Sequence, residues 1–207
     1  MQQANTAQAK ELEKKKQNLP QAIDLEGSAG EGQEFITAKD TKLPILKILY
    51  ANSPVLNDDD GKYIERAKQG DIYNEVTGNL WKGKEGIIVA PCLYYNTFNE
   101  WKDRGDGPGR PVKIHTDPAI MSETSRGEDN KDRLPNGNYV EDTGNHFVFI
   151  LDKDYLPQEQ ALITMKSTQK KKSKTWNSMM QTRRLKGTKG FFRPPTWATT
   201  YKLTTTK

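Results

Sequence analysis

The stretch Gly86-Ile87-Ile88-Val89-Ala90-Pro91-Cys92-Leu93-Tyr94-Tyr95, continuing through Phe98 to Trp101, constrains the fold more than any other part of the chain. It is apolar on both alternating parities. That pattern belongs to a strand covered on two faces, in the middle of a sheet rather than at its edge. It is not a membrane span, because the richest run, from Ile87 to Tyr95, holds nine residues and a proline, against the roughly eighteen apolar residues that crossing requires.

Shorter strand-like segments surround it. Leu43-Pro44-Ile45-Leu46-Lys47-Ile48-Leu49-Tyr50 begins with a proline suited to a strand start or edge, and also fits a buried helix turn. Gly70 to Asn74 and Thr77 to Trp81 form a hairpin pattern around Gly78. Asn145 to Leu151, Gln160 to Met165 and Trp197 to Thr204 supply further strands. Between them, residues 102–138 are polar and rich in Gly, Pro, Asp and Arg, a long loop of the kind that is functional or disordered. From Ser167 to about Leu185 the period changes to helical, with Ser167 or Thr168 as N-cap and Trp176, Met179, Met180 and Arg183 at i, i+3, i+4 and i+7. Gly187-Thr188-Lys189-Gly190 ends that helix, and Pro194-Pro195 forbids an immediate successor.

This order predicts a mainly β fold: an antiparallel OB-type β-barrel with one or two helices and a flexible N-terminal tail. The tail covers residues 1–40, where helix formers around Ala7 to Lys16 offer one large apolar residue and Gly27-Ser28-Ala29-Gly30-Glu31-Gly32 composes a linker. Residues 41–207 are expected to form a single OB-type domain, which the charge pattern below marks as nucleic-acid-binding, with the polar loop at about 102–138 and the basic helix at about 167–185.

The 207 residues carry 32 Lys and Arg against 27 Asp and Glu, a formal net charge of +5. That total hides a division. The last acid is Glu159, so residues 1–160 sum to −7, while residues 161–207 hold 12 basic and no acidic side chains. Such asymmetry points to a polyanionic partner, because neutralising phosphates releases condensed counterions.

The basic end also holds aromatic residues, whose faces stack on unpaired bases. We take Lys166, Lys170, Lys171, Lys172, Lys174, Arg183, Arg184, Lys186 and Arg193 as candidate phosphate contacts, and Tyr94, Tyr95, Trp176, Phe191 and Trp197 as candidate stacking residues. A core-facing stripe is the competing reading for Trp176, Met179 and Met180, and Trp197 can equally fill the barrel. On the central strand Tyr95 and Trp101 share one face and Tyr94 and Phe98 the other.

Motifs for catalysis and for bound ions do not form. Asn57-Asp58-Asp59-Asp60-Gly61 fails the EF-hand spacing, since Leu56 and Ala67 would take the first and twelfth positions, and reads as an acidic turn. Gly105 to Gly109 matches no phosphate loop. His115 and His146 lack an accompanying nucleophile motif, and Cys92 lies in the most apolar strand as an unreactive thiol. No cofactor and no metal is expected, and the sole cysteine suits a reducing cytoplasm. Met1-Gln2-Gln3-Ala4-Asn5 has no signal-peptide character.

Three stretches together resemble tailed-bacteriophage single-stranded DNA-binding proteins. They are Gly70 to Gly78, Val89 to Trp101, and Ser167 to Ser178 with Gly190 to Pro195 and Tyr201 to Thr205, spread over about residues 43–205. The resemblance implies an OB-type fold and coating of single strands without strong sequence preference during phage DNA replication and recombination, in the host cytoplasm. Single-stranded DNA is then the partner, with phage replication or recombination proteins as further ones and no membrane. The chain differs from that group in ending at Thr204-Thr205-Thr206-Lys207 rather than in an acidic partner-binding tail, and reads as truncated or as a tailless member. Two other classes compete: a metal-dependent nuclease or other DNA-modifying enzyme with carboxylates from the first 160 residues, and a phage regulatory protein that binds a host protein.

Overall fold

The computed structural model describes residues 33–37, 39–107 and 109–205. Leu43–Lys207 forms one compact unit. The tail expected over residues 1–40 falls almost wholly outside the described residues.

The fold is mainly β. Strands β1 (Ile45–Ile48), β2 (Ile72–Asn74), β3 (Leu80–Trp81), β4 (Ile87–Trp101), β5 (Lys113–His115), β6 (Ser125–Arg126), β7 (Asp132–Arg133), β8 (Tyr139–Leu151), β9 (Pro157–Lys166) and β12 (Tyr201–Leu203) build one sheet. The ribbon β10 (Leu185–Gly187) and β11 (Gly190–Phe192) forms a second, two-stranded one. One α-helix, α1 (Thr168–Thr182), is present among the described residues outside three short 3-10 turns. It packs against β8 and β9.

The main sheet runs β12-β4-β8-β9-β1-β2-β3. β4 is central, as its two-sided hydrophobicity requires, with β8 along one edge and β12 and β5 along the other. A bulge interrupts its ladder with β8. Pro91 pairs with Val148 and Leu93 with Phe147, so Cys92 is an extra residue. It sits beside a proline that cannot donate to the ladder. Before it, Val89 and Pro91 face the core; after it, Tyr94 and Phe98 do, and Leu93 and Tyr95 turn outward. One inserted residue thus switches which parity is buried.

The core gathers Leu46, Ile72, Ile87, Val89, Val148, Ile150 and Ala161 from the sheet and Trp176 from the helix. β1 pairs antiparallel to β2 but parallel to β9, which makes the sheet mixed rather than purely antiparallel.

The sheet is also open, and here the expected barrel needs correction. Among the described residues no ladder joins β3 to β12. The two ends do approach, since the Thr205 amide donates to the Gly83 carbonyl (2.9 Å) and its hydroxyl to that of Gly70 (2.6 Å). This contact runs through Thr205, beyond the end of β12, and not between paired strands, so it does not close the sheet. The result is a mixed sheet without closure.

The polar segment 102–138 is more structured than its composition suggests. It contains β5, a 3-10 turn at Pro118–Glu123, and the small β6–β7 hairpin. Ile120 and Met121 pack on Phe98, Leu134 and Val140 as a second, minor core. Scattered apolar residues too sparse for a periodic pattern are sufficient to anchor it.

Candidate nucleic-acid interface

Helix α1 presents Lys170, Ser173 and Trp176 to the sheet, three apart and therefore on one side. It can come close because residue 144 is glycine. A Cβ there would stand 2.6 Å from the Ser173 hydroxyl and 3.2 Å from the Tyr94 ring. Ser173 shares a hydrogen bond with Nε2 of His146 (2.8 Å), and both residues are fully buried. The His146 ring stacks on Trp176 at 4.4 Å, and Tyr201 closes the other side of the indole at 5.7 Å in an edge contact. Burial, with the Lys170 ammonium nearby, pushes the His146 pKa down to about 4, so the imidazole is neutral at pH 7.

Several candidate contacts are consequently structural. Trp176 is 5% exposed and enclosed by His146 and Tyr201, so no base can reach its face. Lys170, 8% exposed, pairs with Asp142 at 2.7 Å and donates to Asn96 and to the Tyr94 hydroxyl. Tyr94 itself is half-buried against His146. Lys166 pairs with Glu141 at 3.0 Å, the same carboxylate that accepts from the Ser167 hydroxyl at 2.9 Å. Arg184 folds back on the helix end and donates to the carbonyls of Gln181 and Arg183. Met179, placed on the inward stripe by periodicity, is 53% exposed, because Ser173 and Lys170 occupy the contact instead.

The remaining candidates are free. Lys171, Lys172, Lys174, Arg183, Lys186 and Arg193 are exposed, and none has an ion-pair partner among the described residues. Lys189, not singled out from the sequence, joins them at the tip of the β10–β11 ribbon. Phe191 and Trp197 are 76% and 64% exposed. Phe192, also missed, is half-exposed beside them. The signal that could have found Phe192 and Lys189 was the Gly-x-x-Gly turn of residues 187–190, which forms the ribbon turn and not the helix stop expected of it, since α1 already ends at Thr182.

The charge placement is unusual for a helix. The first turn of α1 carries no acid, and three consecutive lysines begin in it, although the helix dipole makes that end favour anions. A cleft of about 510 Å³ opens beside it, between Lys171 and Lys174 of the helix, Tyr139 of β8, and Arg126 and Lys131 of the β6–β7 hairpin. Arg126 and Lys131 are held by Asp132, Asp103 and Asp129, which leaves the two helix lysines as its unpaired charges.

Tyr95 is separated from this side. It points to the opposite face of the sheet from α1, where it stacks on Phe147 at 5.8 Å and is 37% exposed. The structure therefore joins the helix cations and not the β4 tyrosines into one surface.

Other titratable groups are engaged locally. Glu100 accepts from Asn138 (2.6 Å) and Asn136 (3.1 Å) and pairs with His115 (3.0 Å), contacts that hold its carboxyl below the usual range. Asp129 is drawn down to about 2 by Arg133. The 57–61 acidic segment forms turns in which Asn57 and Asp60 accept backbone amides. Among the described residues no three His, Cys, Asp or Glu side chains converge as metal ligands, and no helix is long and apolar enough to cross a membrane.

Comparison with known proteins adds one result. Residues 13–207 match the family described as Pam3 phage gp34-like protein. No curated protein and no solved structure matches the chain. With nearly its whole length covered, the chain belongs to the Pam3 phage gp34-like family and is a bacteriophage protein.

Proposed function

We propose that this phage protein binds single-stranded DNA without strong sequence preference and acts by coating it, in support of phage DNA replication and recombination in the host cytoplasm. One observation carries the reading. Seven exposed cations without carboxylate partners among the described residues (Lys171, Lys172, Lys174, Arg183, Lys186, Lys189 and Arg193) run through a segment that also exposes Phe191, Phe192 and Trp197. Free cations serve phosphates, and exposed rings serve unpaired bases. In this reading the open sheet is a variant of the OB-type barrel left unclosed, with α1 and the ribbon as its binding elements.

Titration with an unlabelled oligonucleotide tests it. Tryptophan emission is expected to fall chiefly through Trp197, and to fall less in a Trp197→Phe variant, because Trp176 is enclosed and Trp81 and Trp101 are partly buried within the sheet. If all seven cations meet phosphates, log affinity should drop against log salt with a slope of about −5. An affinity indifferent to salt would sink the proposal, and loss of full-length oligonucleotide that EDTA prevents would replace it with a nuclease.

A further inference from the structure

We propose that the β10–β11 ribbon recognises the junction between single-stranded and duplex DNA. In this arrangement Phe191 stacks on the terminal base pair, and the cations of the two ribbon strands straddle the diverging backbones. The inference rests on the single-strand reading above and adds a second ligand class to it.

The ribbon pairs with no other strand among the described residues. A lone two-stranded hairpin adds little stability in water, so its residues are poorly explained by packing. It narrows toward its end. Gly187 and Gly190 form the last pair, Gly190 has φ 114°, and Thr188 and Lys189 make the tip. Phe191 is the first bulky side chain behind that tip.

The two phenylalanines differ. Phe192 leans on its own strand face, with its ring 3.2 Å from where a Gly187 Cβ would lie. Phe191 stands on the other face opposite Lys186, 76% exposed and with no aromatic partner among the described residues. Arg183 and Lys186 lie on the entering strand side, Lys189 at the tip and Arg193 on the leaving side, all exposed.

A continuous single strand is best served by rings spaced along a surface. One prominent ring near the end of a slim ribbon, with positive charge on both sides, suits a different object. The end of a duplex offers one base-pair face between two phosphate chains. A two-stranded ribbon is slim enough to enter a major groove, and apolar side chains act as wedges at base steps.

The experiment uses the full chain and three labelled DNAs: a single strand, a partial duplex with a single-stranded arm of equal length, and a blunt duplex. The partial duplex is expected to bind about tenfold tighter than the single strand, the scale of one stacked base. Phe191→Ala should abolish that preference, weakening the partial duplex about tenfold more than the single strand, while Phe191→Trp should retain it. Equal affinity of the unmodified protein for partial duplex and single strand, or a preference that survives Phe191→Ala, overturns the junction role and leaves single-strand binding standing. Failure to bind any of the three overturns both.

Discussion

Lys170 and Lys171 are adjacent in the chain and opposite in situation. Lys170 is buried beneath α1 against Asp142, Asn96 and Tyr94, whereas Lys171 is exposed and makes no ion pair among the described residues. Trp176 and Phe191 repeat the contrast fifteen residues apart: the first is enclosed by His146 and Tyr201, the second stands in solvent. A basic, aromatic composition therefore describes two regions at once. One is a polar seam that fastens the helix to the sheet, the other a surface free to meet an anion. Within α1 helical phase separates the two lysines, because a step of one residue turns a side chain about 100° around the axis, and Phe191 lies beyond the helix in the ribbon.

Breaking the seam should have the largest effect. Trp176→Ala removes a large buried ring and is expected to cost about 3–5 kcal/mol, read as a lowered denaturant midpoint. Oligonucleotide binding by the fraction that remains folded should persist. A mild loss of stability with abolished binding would reverse the assignment of Trp176.

The seam also carries a pH signature. His146 has a folded pKa near 4 against an unfolded value near 6.5. Below the unfolded value the unfolded chain binds the additional proton, so stability is full above about pH 6.5 and falls as pH drops toward 4. Between pH 6.5 and 5 the loss should reach about 2 kcal/mol. Urea midpoints across that window would measure it, and His146→Gln should flatten the dependence. A wild-type midpoint constant from pH 6.5 to 5 would count against a neutral, sealed imidazole.

The smallest effects sharpen the contrast between neighbours. Lys170→Ala leaves a half-buried Asp142 without its partner and should destabilise by about 1–2 kcal/mol without changing the salt slope of binding. Lys171→Ala with Lys174→Ala should do the reverse: stability unchanged within about 0.5 kcal/mol, and a salt slope shallower by about 1.4. Identical behaviour of the two variants in both assays would erase the distinction.

Much of the fold was legible because hydrophobic pattern is a local property. The central place of β4, the hairpin around Gly78 and the helix following Ser167 all follow from runs of neighbouring residues. Boundaries were less so: α1 ends at Thr182, and the last strand shortens to Tyr201–Leu203 behind a 3-10 turn at Thr196–Ala198. The bulge at Cys92 left no local trace, since its cause is a pairing between residues more than fifty positions apart. His146 and Ser173 are separated by 27 residues and nothing local couples them. The open sheet was beyond periodicity altogether, because closure depends on which backbone groups the tertiary fold brings face to face at the two ends of the sheet.

The sequence by itself determined that charge is segregated, with no acid after Glu159, and that the acid-free end contains a helix and a cluster of aromatics. Those are properties of composition and short-range pattern. Which of these cations are spent was decided only by the tertiary structure. Gly144 lets the helix approach, Asp142 and Glu141 of β8 then claim Lys170 and Lys166, and the lysines turned away stay unpaired. The physical reason is range: hydrophobic period acts along a few residues, whereas an ion pair forms wherever the fold brings opposite charges within a few ångströms.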